Sequence, residues 1–121
     1  MQEFKPYLFI LGLVKESPIN MGRQLLCQCI NGEADERILK LRLNKLVNYG
    51  SLPLYDNKDV LELVDLLLSK GYLEYKALEQ NKFMKVISIT KKGLDELRNP
   101  QANLTARKSY EGHYKSIEPV N

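Results

Sequence analysis

The stretch Asn57-Lys-Asp-Val-Leu-Glu-Leu-Val-Asp-Leu-Leu-Leu-Ser-Lys-Gly71-Tyr-Leu-Glu-Tyr-Lys-Ala77 changes its hydrophobic period in the middle. Before Gly71, residues Val60, Leu63, Val64 and Leu67 recur at i, i+3, i+4 and i+7, which is the spacing of one helix face. Asp56 or Asn57 stands where a cap is needed, and Lys70 and Gly71 supply the stop. After Gly71, residues 72–77 and 83–89 are rich in aromatic and β-branched side chains. Glu79, Gln80, Asn81 and Lys82 between them read as a polar turn, so the pattern is a β-hairpin. Thr90 then caps a last short helix carrying Leu94 and Leu97, and Asn99-Pro100 ends it.

Upstream, Pro6 fits the first turn of a helix over about 5–15, with Phe4, Leu8, Leu11 and Val14 at helical spacing. Ser17, Pro18 and Asn20 break that pattern, and Asn20 is placed to cap a second helix whose stripe is Leu25, Leu26, Cys29 and Ile30. Asn31 and Gly32 close it. Between 35 and 48 the helical reading puts Leu39, Leu43 and Leu46 on one side and Arg37, Lys40, Asn44, Lys45 and Asn48 on the other. Leu41 and Arg42 spoil that separation, so a loop and a short helix from about residue 43, ended by Gly50 and Pro53, is the alternative. Helices, a two-stranded hairpin and a closing helix make an α+β, mainly helical fold: a winged helix with a β-hairpin wing. The expected core is Leu8, Leu11, Leu25, Leu26, Ile30, Leu46, Val60, Leu63, Val64, Leu67, Leu73, Ile87, Ile89 and Leu97. The winged-helix domain is expected over 1–98, and the polar, aperiodic 99–121, with Tyr110 and Tyr114, reads as a tail.

The 121 residues suit one small domain, and 18 Lys and Arg against 15 Asp and Glu give a net charge of +3. The apolar run from Tyr7 to Val14 is far below the roughly 20 residues of a bilayer span. No secretory signal is visible, so an intracellular protein, cytoplasmic or nucleoid-associated, without membrane partners is expected. Cys27 and Cys29 suit reduced thiols. Two apart on a helix, they point about 200° apart and make a poor metal grip. His113 stands alone, and Asp35-Glu36 and Asp95-Glu96 are explained by helix starts, so neither a triad nor acid-base chemistry is indicated. No enzyme, cofactor or small-molecule substrate is expected.

Three pieces in order resemble the RecQ C-terminal (RQC) domain, the winged-helix module of RecQ-type DNA helicases, over about 5–97. Gly22-Arg-Gln-Leu-Leu-Cys-Gln-Cys-Ile-Asn-Gly32 is similar to the family's helix ending in Leu-x-Gly. Leu43-x-x-Leu46-x-x-Tyr49-Gly50 resembles a short helix closed by Leu-Ser-x-Tyr-Gly, with Val47 in place of the serine. Leu66-Leu-Leu-Ser-Lys-Gly71-Tyr72-Leu73, followed by Ile87-Ser-Ile89-Thr90-Lys-Lys-Gly93-Leu94, is similar to the family's Gly-Tyr-Leu turn and its Leu-x-Leu-Thr-x-x-Gly close. Arg42-Leu43 stands where the family usually has Gly-His. The sequence contains no Walker A loop, so the chain by itself is no ATPase. The resemblance implies a partner in DNA, duplex or fork, and a helicase motor in cis or in trans, with roles in DNA repair, replication and recombination.

Arg37, Lys40, Arg42 and Lys45 put four cations in nine residues with no intervening acid, a pattern for phosphate contact or equally for a solvated face. Asn48 and Ser51 flank Gly50, where free backbone N–H groups and a hydroxyl would hold a phosphate, and Lys58 opens the next helix. Tyr49 reads more readily as core. In the hairpin, Asn81, Lys82, Phe83 and Lys85 set an aromatic between cations, suited to stacking on a terminal base. The resemblance adds that in some family members the wing is a strand-separating wedge; alternatively Phe83 packs under the wing. Lys91 and Lys92 extend the basic surface, whereas Arg107, Lys108 and Lys115 are offset by Glu111 and Glu118. Two rivals are a protein-docking winged helix, with Tyr7, Phe9 and Tyr55 as an exposed apolar patch, and a small dimeric transcriptional regulator.

Overall fold

The computed structural model describes residues 5–78, 80–81 and 83–104. Phe4, Glu79, Lys82 and everything from 105 on, including His113 and the tail tyrosines and cations, lie outside the described residues. Five helices and one two-stranded antiparallel sheet follow in order: α1 Tyr7–Glu16, α2 Arg23–Asn31, α3 Glu36–Lys40, a single 3-10 turn Leu43–Lys45, α4 Asn57–Ser69, β1 Leu73–Ala77, β2 Lys85–Ile89 and α5 Lys91–Arg98. This is the mainly helical α+β winged helix that the pattern predicts.

Helix α2 begins at a Gly22 cap, not at Asn20, because the preceding residue is committed to the sheet. Met21 forms an antiparallel bridge with Ile87 and accepts the Ile87 N–H at 2.7 Å, which holds the chain extended until Gly22. At its other end the helix stops at Gly32, in the left-handed region at φ 80°, with Glu33 N–H reaching back to Gln28 O. Gly50, at φ 68°, stacks against it: a Cβ added to Gly32 would lie 3.1 Å from Gly50 Cα. The Gly50 N–H donates to Cys29 O at 2.7 Å, so the end of α2 is tied to the loop that follows the basic segment. Helix α4 lies antiparallel to α2, with Arg23 making two bonds to Asp65 (2.8 and 2.6 Å) at one end. At the other end the Asn31 side-chain amide donates to Leu52 O and Tyr55 O.

Segment 35–48 departs from the expected stripe. Asp35 caps α3 by accepting the Ile38 N–H, and the helix lasts five residues before Arg42 turns left-handed at φ 58°. That reversal breaks the helical period, so Ile38 and Leu43 are the buried pair and Leu39 is 52% exposed. The expected inward side of Leu39, Leu43 and Leu46 thus keeps Leu43 fully, Leu46 in part, and loses Leu39.

In the hairpin Leu73 pairs with Ile89 and Tyr75 with Ile87. Strand β2 starts at Lys85 and not at Phe83, because the Asn81 side chain accepts the Phe83 N–H and Met84 donates to Asn81 O, which makes 81–84 part of the turn. Thr90 caps α5 as expected, accepting the Gly93 N–H while its own hydroxyl reaches Gly71 O at 2.6 Å. Gly93 leaves no room for a side chain, since an added Cβ would run into Tyr72 O and lie 2.7 Å from Ile89 Cγ1. Gly93→Ala is therefore expected to lower stability by about 1–3 kcal/mol, which a urea titration measures as a lower midpoint at unchanged slope.

The core contains Leu11, Leu25, Leu26, Ile30, Val60, Leu63, Val64, Leu67, Leu73 and Ile87 as expected, with Leu8, Leu46, Ile89 and Leu97 partly buried around it. It also contains Tyr7, Ile10 and Leu13, whereas Val14 is only partly buried. The predicted exposed patch of Tyr7, Phe9 and Tyr55 does not exist: Tyr7 is wholly buried, and the other two pack partly against the core. Tyr7 tolerates this position because its hydroxyl lies 2.5 Å from Glu96 Oε2 and 2.8 Å from Ala102 O. Residues 101–104, read from sequence as the start of the tail, are joined to this network; Ala102 and Leu104 pack on the core, and Lys5 Nζ donates to Ala102 O.

Candidate nucleic-acid interface

Arg37 and Lys40 on α3, Arg42 at the left-handed residue and Lys45 at the end of the 3-10 turn are all exposed. The ion pairs among the described residues are Arg23–Asp65 and Arg98–Asp95, and none of these four cations takes part in either. Arg23 differs: the bond to Asp65 raises its pKa further, against the cost of burial, and its charge is already answered. The span from Arg37 to Lys45, across the two short helical pieces and the reversal between them, carries four positive charges and no acid, with Asp35 and Glu36 immediately before it at the start of α3. Such an array attracts polyanions and releases their counterions on contact.

The loop that follows is more self-contained than expected. The N–H groups of Val47 and Asn48 donate to Glu16, Tyr49 to Leu46 O, Gly50 to Cys29 O and Leu52 to Ile30 O. The N–H groups of Val47, Asn48, Tyr49, Gly50 and Leu52 are thus spent on fixing the loop, because the chain there runs against the ends of α1 and α2. The Asn48 side-chain amide also donates to Glu16, at 2.8 Å. The Ser51 hydroxyl is buried with no partner among the described residues. Tyr49 packs partly on the core and its hydroxyl donates to Glu33 O, as its core reading requires. Lys58 is exposed on the first turn of α4, in a shallow groove whose other charged members are Arg23, Asp59, Glu62 and Asp65, so it is not gathered into the basic segment.

At the wing, Phe83 is 96% exposed, which overturns its placement under the hairpin. Met84 (54%) and Tyr75 (45%) are exposed beside it, an apolar display that strand periodicity does not reveal because 83 and 84 belong to the turn. Lys85 is exposed with its ammonium 6.0 Å from the Tyr75 ring centroid, and Asn81 serves as the bracket of the turn. Lys92 faces inward to its neighbours, over the Tyr72 ring at 4.6 Å and bonded to Lys70 O. Helix α2 separates the two clusters: its start adjoins β2 through Met21, and its end adjoins the Gly50 loop and the basic segment. Nine residues of helix span about 13 Å, of the order of one major-groove width.

Cys27 and Cys29 are both buried, and burial pushes each thiol up to about 11, which keeps them protonated. Among the described residues no group of three or more His, Cys, Asp or Glu is placed to hold a metal ion. No helix among them is long and apolar enough to cross a membrane.

A comparison with curated proteins finds no match. The family model described as the RQC domain matches residues 6–113, from just before α1 through α5 and beyond it. The ordered motifs occupy the turns that close this fold: Gly32 and Gly50 back to back, Gly71-Tyr72 at the entry to the hairpin, and Thr90 with Gly93 at its exit. The match covers most of the chain and all five helices and the hairpin, and the chain belongs to the RQC domain family, the generally DNA-binding, non-catalytic C-terminal module of RecQ-type helicases.

Proposed function

We propose that this domain binds the DNA backbone in a duplex or at a duplex–single-strand junction, recognising charge and shape more than base sequence. The observation that carries this reading is the set of four exposed cations, Arg37, Lys40, Arg42 and Lys45, without an ion-pair partner among the described residues, in a chain of a DNA-binding family. In this reading these four meet phosphates, and Lys58 adds a more distant charge. Asn48 and Ser51 serve the surface from beneath. The wing, with Asn81, Lys82, Phe83 and Lys85, lies at the duplex end, where Phe83 stacks on the terminal base pair and the lysines meet flanking phosphates. A helicase motor, in cis or in trans, supplies the ATP-driven step, and the setting is intracellular DNA repair, replication or recombination.

Fluorescence anisotropy with blunt duplex, forked duplex and single strand, each at two or more salt concentrations, tests this. If about four to six phosphates are neutralised, log K falls against log salt with a slope of roughly −4 to −5. Binding that ignores salt, or no binding to any of the three at low salt, would remove the reading. Phe83→Ala is expected to weaken binding to the fork and to the blunt duplex, both of which present a terminal base pair, by about tenfold from loss of stacking, while leaving single-strand affinity and thermal stability nearly unchanged. An equal loss on every substrate would assign Phe83 a different role.

A second reading, docking on a protein partner, draws on the exposed Val47 (89%) and Leu54 (81%) beside the basic segment. A chain that binds none of the three DNAs and keeps its fold would favour it.

A further inference from the structure

We propose that Glu16, at the C-terminal end of α1, is a positioning residue for the DNA-binding surface. This inference rests on the proposed DNA-binding role of the basic segment. Its basis is a bracket from Glu16 to Val47 and Asn48, more than thirty positions away in sequence. Glu16 Oε1 accepts the Val47 N–H at 2.7 Å, and Oε2 accepts both the Asn48 N–H and the Asn48 side-chain amide at 2.8 Å. One turn earlier on the same helix, Gly12 makes the space that Asn48 occupies: a Cβ added there would lie 2.6 Å from Asn48 Nδ2 and 3.2 Å from Cγ.

The loop so held is the direct continuation of the basic segment. Lys45 stands two residues before Val47, and Gly50, docked on Cys29 O, stands two residues after Asn48. The chain between Arg42 and Gly50 is therefore anchored on α1 at one point and on α2 at another. It has no helix of its own to hold it, only the 3-10 turn Leu43–Lys45. Short elements of this kind keep their place through contacts outside themselves. An acid in contact with the loop beside the basic segment is, on charge alone, unfavourable for binding a polyanion. Glu16 is compatible with that function because its carboxylate is consumed by three donors.

This gives a test in which positioning and electrostatics have opposite signs. Glu16→Gln removes a negative charge, which by simple attraction tightens DNA binding. It also removes an acceptor, since one side-chain oxygen becomes a donor facing N–H groups. Positioning predicts the reverse: affinity for duplex falls about three- to tenfold despite the added net positive charge. Gly12→Ala leaves the charge unchanged, favours the helix, and displaces Asn48 from its seat, so it is expected to weaken binding by a similar factor. Glu16→Asp keeps the carboxylate and recovers part of the affinity. Amide exchange at Val47 and Asn48 reads the bracket without DNA and should accelerate in both Glu16→Gln and Gly12→Ala.

Tighter or unchanged DNA binding by Glu16→Gln overturns the inference, and so does faster exchange with no loss of affinity, which would leave Glu16 a merely structural tether. Unchanged exchange also overturns it. A wild-type chain that fails to bind duplex or fork is a separate result, visible before any variant is made. It removes the DNA-binding reading and this role with it.

Discussion

Glu96→Ala is expected to melt roughly 10–20 °C below the parent domain, a loss of about 3 kcal/mol, which is large for a charged residue. Glu96 is only 6% exposed, yet its Oε2 accepts the Tyr7 hydroxyl and the N–H groups of Gln101 and Ala102. Truncation leaves the Gln101 and Ala102 N–H groups and part of the capacity of the buried Tyr7 hydroxyl without this partner; a group shielded from water then costs about 1–3 kcal/mol, and one that water reaches costs less. It also frees residues 101–104, whose Ala102 and Leu104 cover the core beside α1.

The same group predicts an acid dependence. Burial alone would raise the Glu96 pKa, but the bonds from Tyr7, Ala102 and Gln101 and the nearby Lys5 charge outweigh it, so the carboxyl titrates below its ordinary value of 4.5. A carboxyl with a lowered folded-state pKa contributes stability that is fully present above the unfolded pKa. That contribution is lost as pH falls through the folded one. The stability difference between the parent and Glu96→Gln is therefore constant near neutrality and shrinks as pH drops below about 4.5. Denaturant titrations across that range check it, and a difference that grows toward acid would contradict the assignment. The partner behaves consistently, since burial and the Glu96 carboxylate push the Tyr7 hydroxyl well above the ordinary range for tyrosine.

The second large effect concerns binding. Charge reversal of Lys40 and Lys45 together is expected to weaken duplex binding by about a hundredfold at low salt and to flatten the salt slope by about two. Both side chains are exposed and neither takes part in an ion pair among the described residues, so the substitutions break no internal contact of that kind and the fold should survive. The control reverses Lys70, an exposed cation outside both the segment 37–45 and the wing, and should change affinity and slope much less. An unchanged slope in the Lys40 and Lys45 variant would dismiss those residues as phosphate contacts. Equal losses in test and control would mean that net charge alone governs binding.

Local signals carried much of the architecture. The i, i+3, i+4, i+7 stripe of α4 is buried as written, Thr90 and Gly32 act as the caps their chemistry suggests, and the change of period at Gly71 marks the hairpin. Each of these depends on residues within about one turn of one another, which is why they can be read from a single chain. Errors arose where a distant contact decides the outcome. Asn20 is a good cap in isolation, but Met21 is held by β2 and α2 starts later. Phe83 is a separate case: it stands in a strand-like run, but the Asn81 side chain two residues away places it in the turn and in solvent, a local bracket that hydrophobic period does not register.

The candidate site divides in the same way. The four basic residues between 37 and 45 stand out as a cluster in the chain itself, because charge density is a property of sequence. Which of their neighbours point inward was not legible, since the left-handed turn at Arg42 shifts the buried positions from Leu39 to Ile38. The roles of Glu16 and Gly12 were equally hidden, as nothing near either residue signals Asn48 some thirty positions away. Composition, period and capping chemistry by themselves determined a winged helix, its order of elements and its basic segment, because those are set by interactions along the chain. Tertiary structure alone decided that Glu96 is buried against Tyr7 and that the N–H groups of Val47, Asn48, Gly50 and Leu52 are consumed. Each follows from polar groups finding partners, and such pairings between distant segments exist only once the chain has closed on itself.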